Sequence, residues 1–168
     1  ALLLSSSLAL AQQVYKSPPE PISSLLDATW SPSVRLSPDD AWMIELTRPG
    51  LRTLEELAEP IVRVAGQKIN PATNGRALEY GYTAMRFGPT GAVRRVWRQD
   101  LKLPEGAKIG HVDWAYESDK FAFTHTTEEG IELWLVTDLE NPEPRRVLGP
   151  SLNAAYGDPC DWLSGDAG

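Results

Sequence analysis

Two histidines, His111 and His125, stand fourteen residues apart in a chain that also carries one cysteine, Cys160, and the acidic pairs Glu55-Glu56 and Glu128-Glu129. These are the side-chain types suited to acid–base, nucleophilic or metal chemistry, and their spacing decides between those uses. Serine nucleophiles on a strand-to-helix elbow need a G-x-S-x-G run with a later acid and histidine, and the sequence has no such run. Zinc hydrolysis on a helix needs H-E-x-x-H, which is also missing. The acidic pairs are adjacent residues at a helix start and in a turn, where helix-dipole complementation and solvation account for them better than the separated carboxylates of glycoside chemistry. The histidines read as structural or surface residues, and Cys160 as a small, buried apolar residue. No residue is therefore assigned a catalytic, cofactor-binding or metal-binding role, and no cofactor is expected.

The elements that hold these residues are strands. From Ile109 to Leu139, Val112 and Trp114 alternate with polar neighbours, Glu117-Ser118-Asp119-Lys120 turns, and Phe121 and Phe123 alternate again. A second turn over residues 126–130 leads to Ile131, Leu133 and Leu135. Period-two alternation of aromatic and β-branched residues between polar turns predicts a half-buried antiparallel meander. The pattern recurs. Val34 and Leu36 match Val112 and Trp114, and after a one-residue offset Trp42 and Ile44 match Phe121 and Phe123. Trp162 matches Trp114, which puts Cys160 in the place of Val112. Spacings of roughly 40–50 residues between four-stranded units mark propeller blades. The first two copies lie further apart, so an insertion separates them.

The expected fold is all-β: a partial β-propeller of about two blades and the start of a third, with a short helical insertion. Residues 33–100 form the first blade with its insertion, 101–150 the second, and 151–168 the opening of a third. Within the insertion, Thr53-Leu-Glu-Glu56 has the form of a capping box and predicts a short helix ended by Pro60. Residues 61–64 read as a strand and residues 67–75 as a loop closed by Asn74-Gly75. Tyr80, Tyr82, Met85 and Phe87, then Val93, Val96 and Trp97, supply further strand material around the turn at residues 88–91. Chain ends inside a turn predict that the terminal units each present an open apolar face, carried by Val34, Leu36 and Trp162.

Residues 1–11 are apolar and small and end in Ala9-Leu10-Ala11. They read as the remainder of an export signal cut after Ala11, too short to span a bilayer, and imply a secreted or periplasmic protein. Residues 12–32, with prolines at 18, 19, 21 and 32, form an extended lead-in strap in which Leu25 and Leu26 of a short helical stretch pack inward. The chain has 42% hydrophobic and 23% charged residues and a net charge of −7, which fits a globular protein and argues against a nucleic-acid surface. No membrane span is expected.

At Ile69-Asn-Pro-Ala-Thr-Asn-Gly75 the sequence resembles the prolyl oligopeptidase family, in the branch with glutamyl endopeptidase and acylaminoacyl-peptidase-like enzymes. The likeness continues in residues 15–27, in Ser33-Val-Arg-Leu-Ser-Pro-Asp39, in residues 124–134 and in Leu152-Asn-Ala-Ala-Tyr-Gly-Asp-Pro159. Tyr116-Glu117-Ser118 departs from it, standing where such blades often have Ser-Pro-Asp. The resemblance implies a propeller followed by a C-terminal α/β-hydrolase domain with a Ser-Asp-His triad, which these 168 residues do not contain. The chain is then the N-terminal propeller portion of a secreted serine peptidase, gating peptide or protein substrates and partnered in cis by the hydrolase domain. The competing reading is a fragment of a non-catalytic periplasmic propeller scaffold that binds proteins, which the blade repeat fits equally well.

Overall fold

The structure is a computed structural model that describes residues 16, 18–26, 28, 30–79, 81–91, 99–117 and 119–165. The expectations for residues 1–11 and for Tyr80, Val93, Val96 and Trp97 lie outside the described residues. The fold is all-β, with three antiparallel sheets and two short helices among the described residues. No described helix is long and apolar enough to cross a membrane.

The first sheet pairs β1 (Ser33–Leu36) with β2 (Trp42–Thr47), then β6 (Ala84–Pro89) and β7 (Gln99–Asp100). The second runs from β8 (Ile109–Trp114) through β9 (Phe121–Thr126) and β10 (Ile131–Val136) to β11 (Arg145–Leu152). Both open with the same hairpin. Ser37 N donates to Trp42 O at 2.9 Å, and Ala115 N donates to Lys120 O at 3.0 Å. Leu36 pairs with Met43 as Trp114 pairs with Phe121. The repeat therefore needs no inserted residue, and Met43, not Trp42, occupies the place of Phe121. Trp42, Met43 and Ile44 are consecutive apolar residues, so alternation alone does not fix which of them faces inward.

This one-residue correction decides how the sheets meet. Successive side chains on a strand point to opposite faces. Ile44 and Leu46, paired with Phe87 and Met85, form the buried face of the first sheet. In the second sheet the buried aromatics Phe121 and Phe123 hold the places of Met43 and Glu45, on the other face. Two congruent sheets thus pack back to front. Phe87 meets Phe121 at 5.7 Å and Trp114 at 6.2 Å between ring centroids, and Trp42 stacks on Phe87 at 4.9 Å. Tyr82 and Ile109 exchange backbone hydrogen bonds of 2.8 and 2.9 Å, which join the sheets along one edge.

The outer face of the first sheet stays open, with Val34 and Leu36 46% and 50% exposed. Trp162, expected to be equally stranded, is half-buried against the second sheet. Its Nε1 donates to Asp113 O at 3.4 Å, and Lys120 Nζ lies 5.8 Å from its ring centroid. Helix α1 (Ile22–Leu26) forms within the proline-rich lead-in. Leu25 and Leu26 do not pack inward as expected, since both are exposed.

The insertion begins with α2 (Leu54–Leu57), capped as predicted: Glu56 N donates to Thr53 Oγ1 and Thr53 N to Glu56 Oε2. Of the expected loop over residues 67–75, residues 71–74 are a turn that closes at Asn74-Gly75 as expected, while residues 67–70 are a strand of a third sheet. β3 (Val62–Val64), β4 (Gln67–Asn70) and β5 (Gly75–Arg76) pair antiparallel. Ala65 and Gly66 both have positive φ, 47° and 85°, the backbone of a two-residue hairpin that matches strand twist. That turn folds Gln67 and Lys68 into a strand their side chains do not favour.

Candidate functional site

The structure places the two histidines in different surroundings. His111 on β8 sets Nδ1 3.2 Å from Asp158 Oδ1, which fastens the segment after β11 to the second sheet. Its Nε2 is buried without a hydrogen-bond partner, as is Nε1 of Trp114 on the same strand. Both residues line a cleft of about 910 Å3 between β1, β8 and residues 154–161. His125 on β9 is buried and accepts a hydrogen bond at Nδ1 from Lys108 N at 3.3 Å. Neither ring is hydrogen-bonded to a serine among the described residues, so the geometry offers no activated nucleophile there.

Cys160 lies beside His111 in a small space of about 160 Å3 that also touches Ala122, Leu133 and Leu135. Burial pushes its thiol pKa up, and the carboxylates of Asp113, Asp161 and Asp158 push it further in the same direction. A thiol held protonated is a poor nucleophile and a poor metal ligand. No group of three or more His, Cys, Asp or Glu residues close enough to hold a metal ion occurs among the described residues.

The insertion builds a second concavity. It is stitched to the second sheet by Lys108 Nζ on Glu59 Oε1 at 2.8 Å and by Ala154 N donating to Asn74 O at 3.0 Å. Between these ties lies a cavity of about 970 Å3 bounded by α2, the turn from Asn70 to Gly75, residues 105–110 and the β9–β10 turn. Asn70, Thr73 and Gly75 are all buried there. Asn70 is fixed through its amide on Glu59 Oε2 at 3.2 Å and its carbonyl on Ala72 N at 3.0 Å.

Glu55, Glu56 and Glu128 all line this cavity, although the sequence presents them as separate solvated pairs. Glu79 and Glu105, unremarked in the sequence, join them. The sequence signal for the cavity floor was the Asn-Pro-Ala-Thr-Asn-Gly run itself. It supplies a turn with Asn74 at φ 53° and a glycine where a Cβ would stand 3.1 Å from Ile131 Cδ1.

These observations define an all-β protein of two congruent, back-to-front four-stranded sheets with a cavity-forming insertion. Among characterised proteins the chain is similar to a protein of Oryza sativa subsp. japonica named Probable glutamyl endopeptidase, chloroplastic, at 29% identity over 172 residues. That match covers 94% of this chain and 18% of the relative. A protein of the same name from Arabidopsis thaliana is 29% identical over 153 residues, covering 84% of this chain and 16% of its own length. The chain thus spans less than a fifth of the curated relatives it matches. No family model matches, and no solved structure gives a significant match. The two similarities connect the chain with a peptidase-related family.

Proposed function

We propose that the chain is the N-terminal propeller portion of a serine peptidase akin to the prolyl oligopeptidase family. In this reading residues 33–100 are a first blade with its insertion, residues 101–150 a second and residues 151–168 the opening of a third. An α/β-hydrolase domain elsewhere in the whole protein carries out catalysis, and the propeller restricts the entry of peptide or protein substrates. Residues 1–11 direct export to the periplasm or the exterior.

The observation that carries the reading is the back-to-front stacking. Equivalent faces meeting would close a two-sheet sandwich. Unlike faces meeting leave a receptive face at each end, the condition for adding further sheets in series. The open face at Val34 and Leu36 and the packing of Trp162 on the far side of the second sheet both fit such a series. In the same reading β1 and β8, each an edge of its sheet, are the innermost strands, and the cleft between them is part of a central channel. The similarity to far longer peptidase-named relatives supplies the catalytic half of the proposal.

The test is to recover the product of the whole gene from the periplasm or medium, sequence its N-terminus and treat it with a fluorophosphonate serine probe. The expected product starts at Gln12 and is labelled at a serine outside residues 1–168, while the 168-residue chain stays unlabelled. Labelling of a serine within these residues, or no labelling of the whole product, overturns the peptidase reading. A product retained in the cytoplasm overturns export.

A further inference from the structure

β8 lies at the edge of the second sheet, and its free side faces the cleft of about 910 Å3 between β1, β8 and residues 154–161. In an antiparallel ladder, pairs whose backbone groups turn to each other alternate with pairs whose groups turn away. Ala115 N donates to Lys120 O, and Asp113 and Trp114 stand opposite Ala122 and Phe121. Asp113 therefore turns its N–H and C=O to β9, while Val112 and Trp114 turn theirs away from it. Both line the cleft, and on that side neither has a backbone partner among the described residues. One end of this edge is already taken. Tyr82 bridges antiparallel to Ile109, exchanging hydrogen bonds of 2.8 and 2.9 Å, so the edge accepts a strand where one reaches it.

A second observation falls on the same strand. Nε2 of His111 and Nε1 of Trp114 are buried without a partner, and both residues line this cleft. Such atoms are rare and cost stability. His111 Nδ1 stands 3.2 Å from the Asp158 carboxylate, which can only accept, so in the neutral ring Nδ1 carries the proton and Nε2 is an acceptor; the indole nitrogen is a donor only. A simple anion or cation would suit one of the two atoms and not the other. Three arginines and four carboxylates line the cleft, so its walls favour neither sign. A polypeptide main chain presents both N–H and C=O groups.

We propose that the cleft binds an extended peptide by its main chain, as an added strand on the free edge of β8 next to the Tyr82 bridge. Val112 and Trp114 supply the backbone groups, in the manner of strand addition to a sheet edge. Recognition of the main chain rather than of charged side chains makes the site tolerant of sequence. The inference deepens the proposed function, resting on the reading of this cleft as part of a channel that admits peptides.

The test uses the product of the whole gene, treated first with the fluorophosphonate probe. An uncharged decapeptide of alternating threonine and serine, acetylated, amidated and carrying a central benzophenone, is then bound and photo-crosslinked. Crosslinks are expected within residues 110–116, with an affinity that salt hardly changes. N-methylation of alternate residues leaves one edge of the peptide free and should preserve affinity within about three-fold. N-methylation of every residue should weaken binding at least about ten-fold. Val112→Pro removes an N–H that does not bond to β9 and should weaken binding about five-fold, with folding checked by circular dichroism. Equal affinity of the half and fully methylated peptides overturns the proposal, as do crosslinks confined to residues outside 1–168. Serine labelling without crosslinks in the cleft sinks this inference alone; crosslinks in the cleft without labelling leave it standing and sink the peptidase reading.

Discussion

Phe87 on β6 and Phe121 on β9 hold their ring centroids 5.7 Å apart with planes inclined by 31°, and both are fully buried. This contact joins the back of one four-stranded sheet to the front of the next. Truncating either ring removes area from both sheets at once, so Phe87→Ala or Phe121→Ala should cost about 3–5 kcal/mol. Because the rings touch, the double variant should fall short of the sum by about 0.5–1.5 kcal/mol. Leu36→Ala, on the half-exposed outer face, should cost less than about 1 kcal/mol. Urea unfolding of the four variants measures all of this. A Leu36→Ala cost equal to that of Phe121→Ala would show that the outer face is covered in solution.

Sequence made the hairpins legible because their aromatic residues alternate cleanly, as at Phe121 and Phe123, and made α2 legible because Thr53 and Glu56 satisfy each other's backbone groups. It misplaced the first repeat by one residue, since Trp42, Met43 and Ile44 are all apolar and parity is silent in such a run. The sheet of β3, β4 and β5 was hidden because Gln67 and Lys68 are poor strand formers and their pairing is imposed by the Ala65-Gly66 turn. The cavity was hidden for a different reason. Glu55 and Glu128 line one cavity only through the ties of the insertion to Lys108 and Ala154, a tertiary relation with no local pattern. Trp162 likewise looked stranded because its partners, Asp113 and Lys120, lie far back in the chain.

Glu132 on β10 is buried, and burial alone would raise its pKa. Arg146 Nη1 at 2.8 Å and Trp134 Nε1 at 2.9 Å outweigh that, with the charges of Arg146 and His125 adding to the effect, and the carboxyl is held below its ordinary range. With the folded pKa depressed, the unfolded chain takes up the proton first as pH falls. The stabilisation is complete above the ordinary glutamate pKa of about 4.3 and is lost as pH drops through the lower folded value. Glu132→Gln should therefore flatten the acid limb of stability against pH. Arg146→Ala leaves a buried carboxylate short of its cation and should cost about 1–2 kcal/mol at neutral pH, less than for a fully buried pair because the arginine is more than half exposed. Thermal melts from pH 3 to 8 provide the measurement, and an unchanged acid limb in Glu132→Gln would refute the assignment.

The environment of Cys160 makes a chemical prediction of the opposite sign. Burial comes first and the carboxylates of Asp113, Asp161 and Asp158 follow, all disfavouring the thiolate. Alkylation proceeds through the thiolate, so iodoacetamide at pH 8 should modify the folded chain at least about ten-fold more slowly than the urea-unfolded chain. Two causes contribute and a variant separates them. Asp161 is exposed, so Asp161→Asn removes one charge without disturbing burial and should speed the folded-state reaction at low salt but little at high salt. If access alone limited the reaction, Asp161→Asn would leave the rate unchanged at both salt concentrations. The rate and its pH midpoint, followed by mass spectrometry, distinguish these cases: a thiol reacting in the folded chain as fast as in urea would mean that the segment carrying Cys160 and Trp162 does not rest on the second sheet.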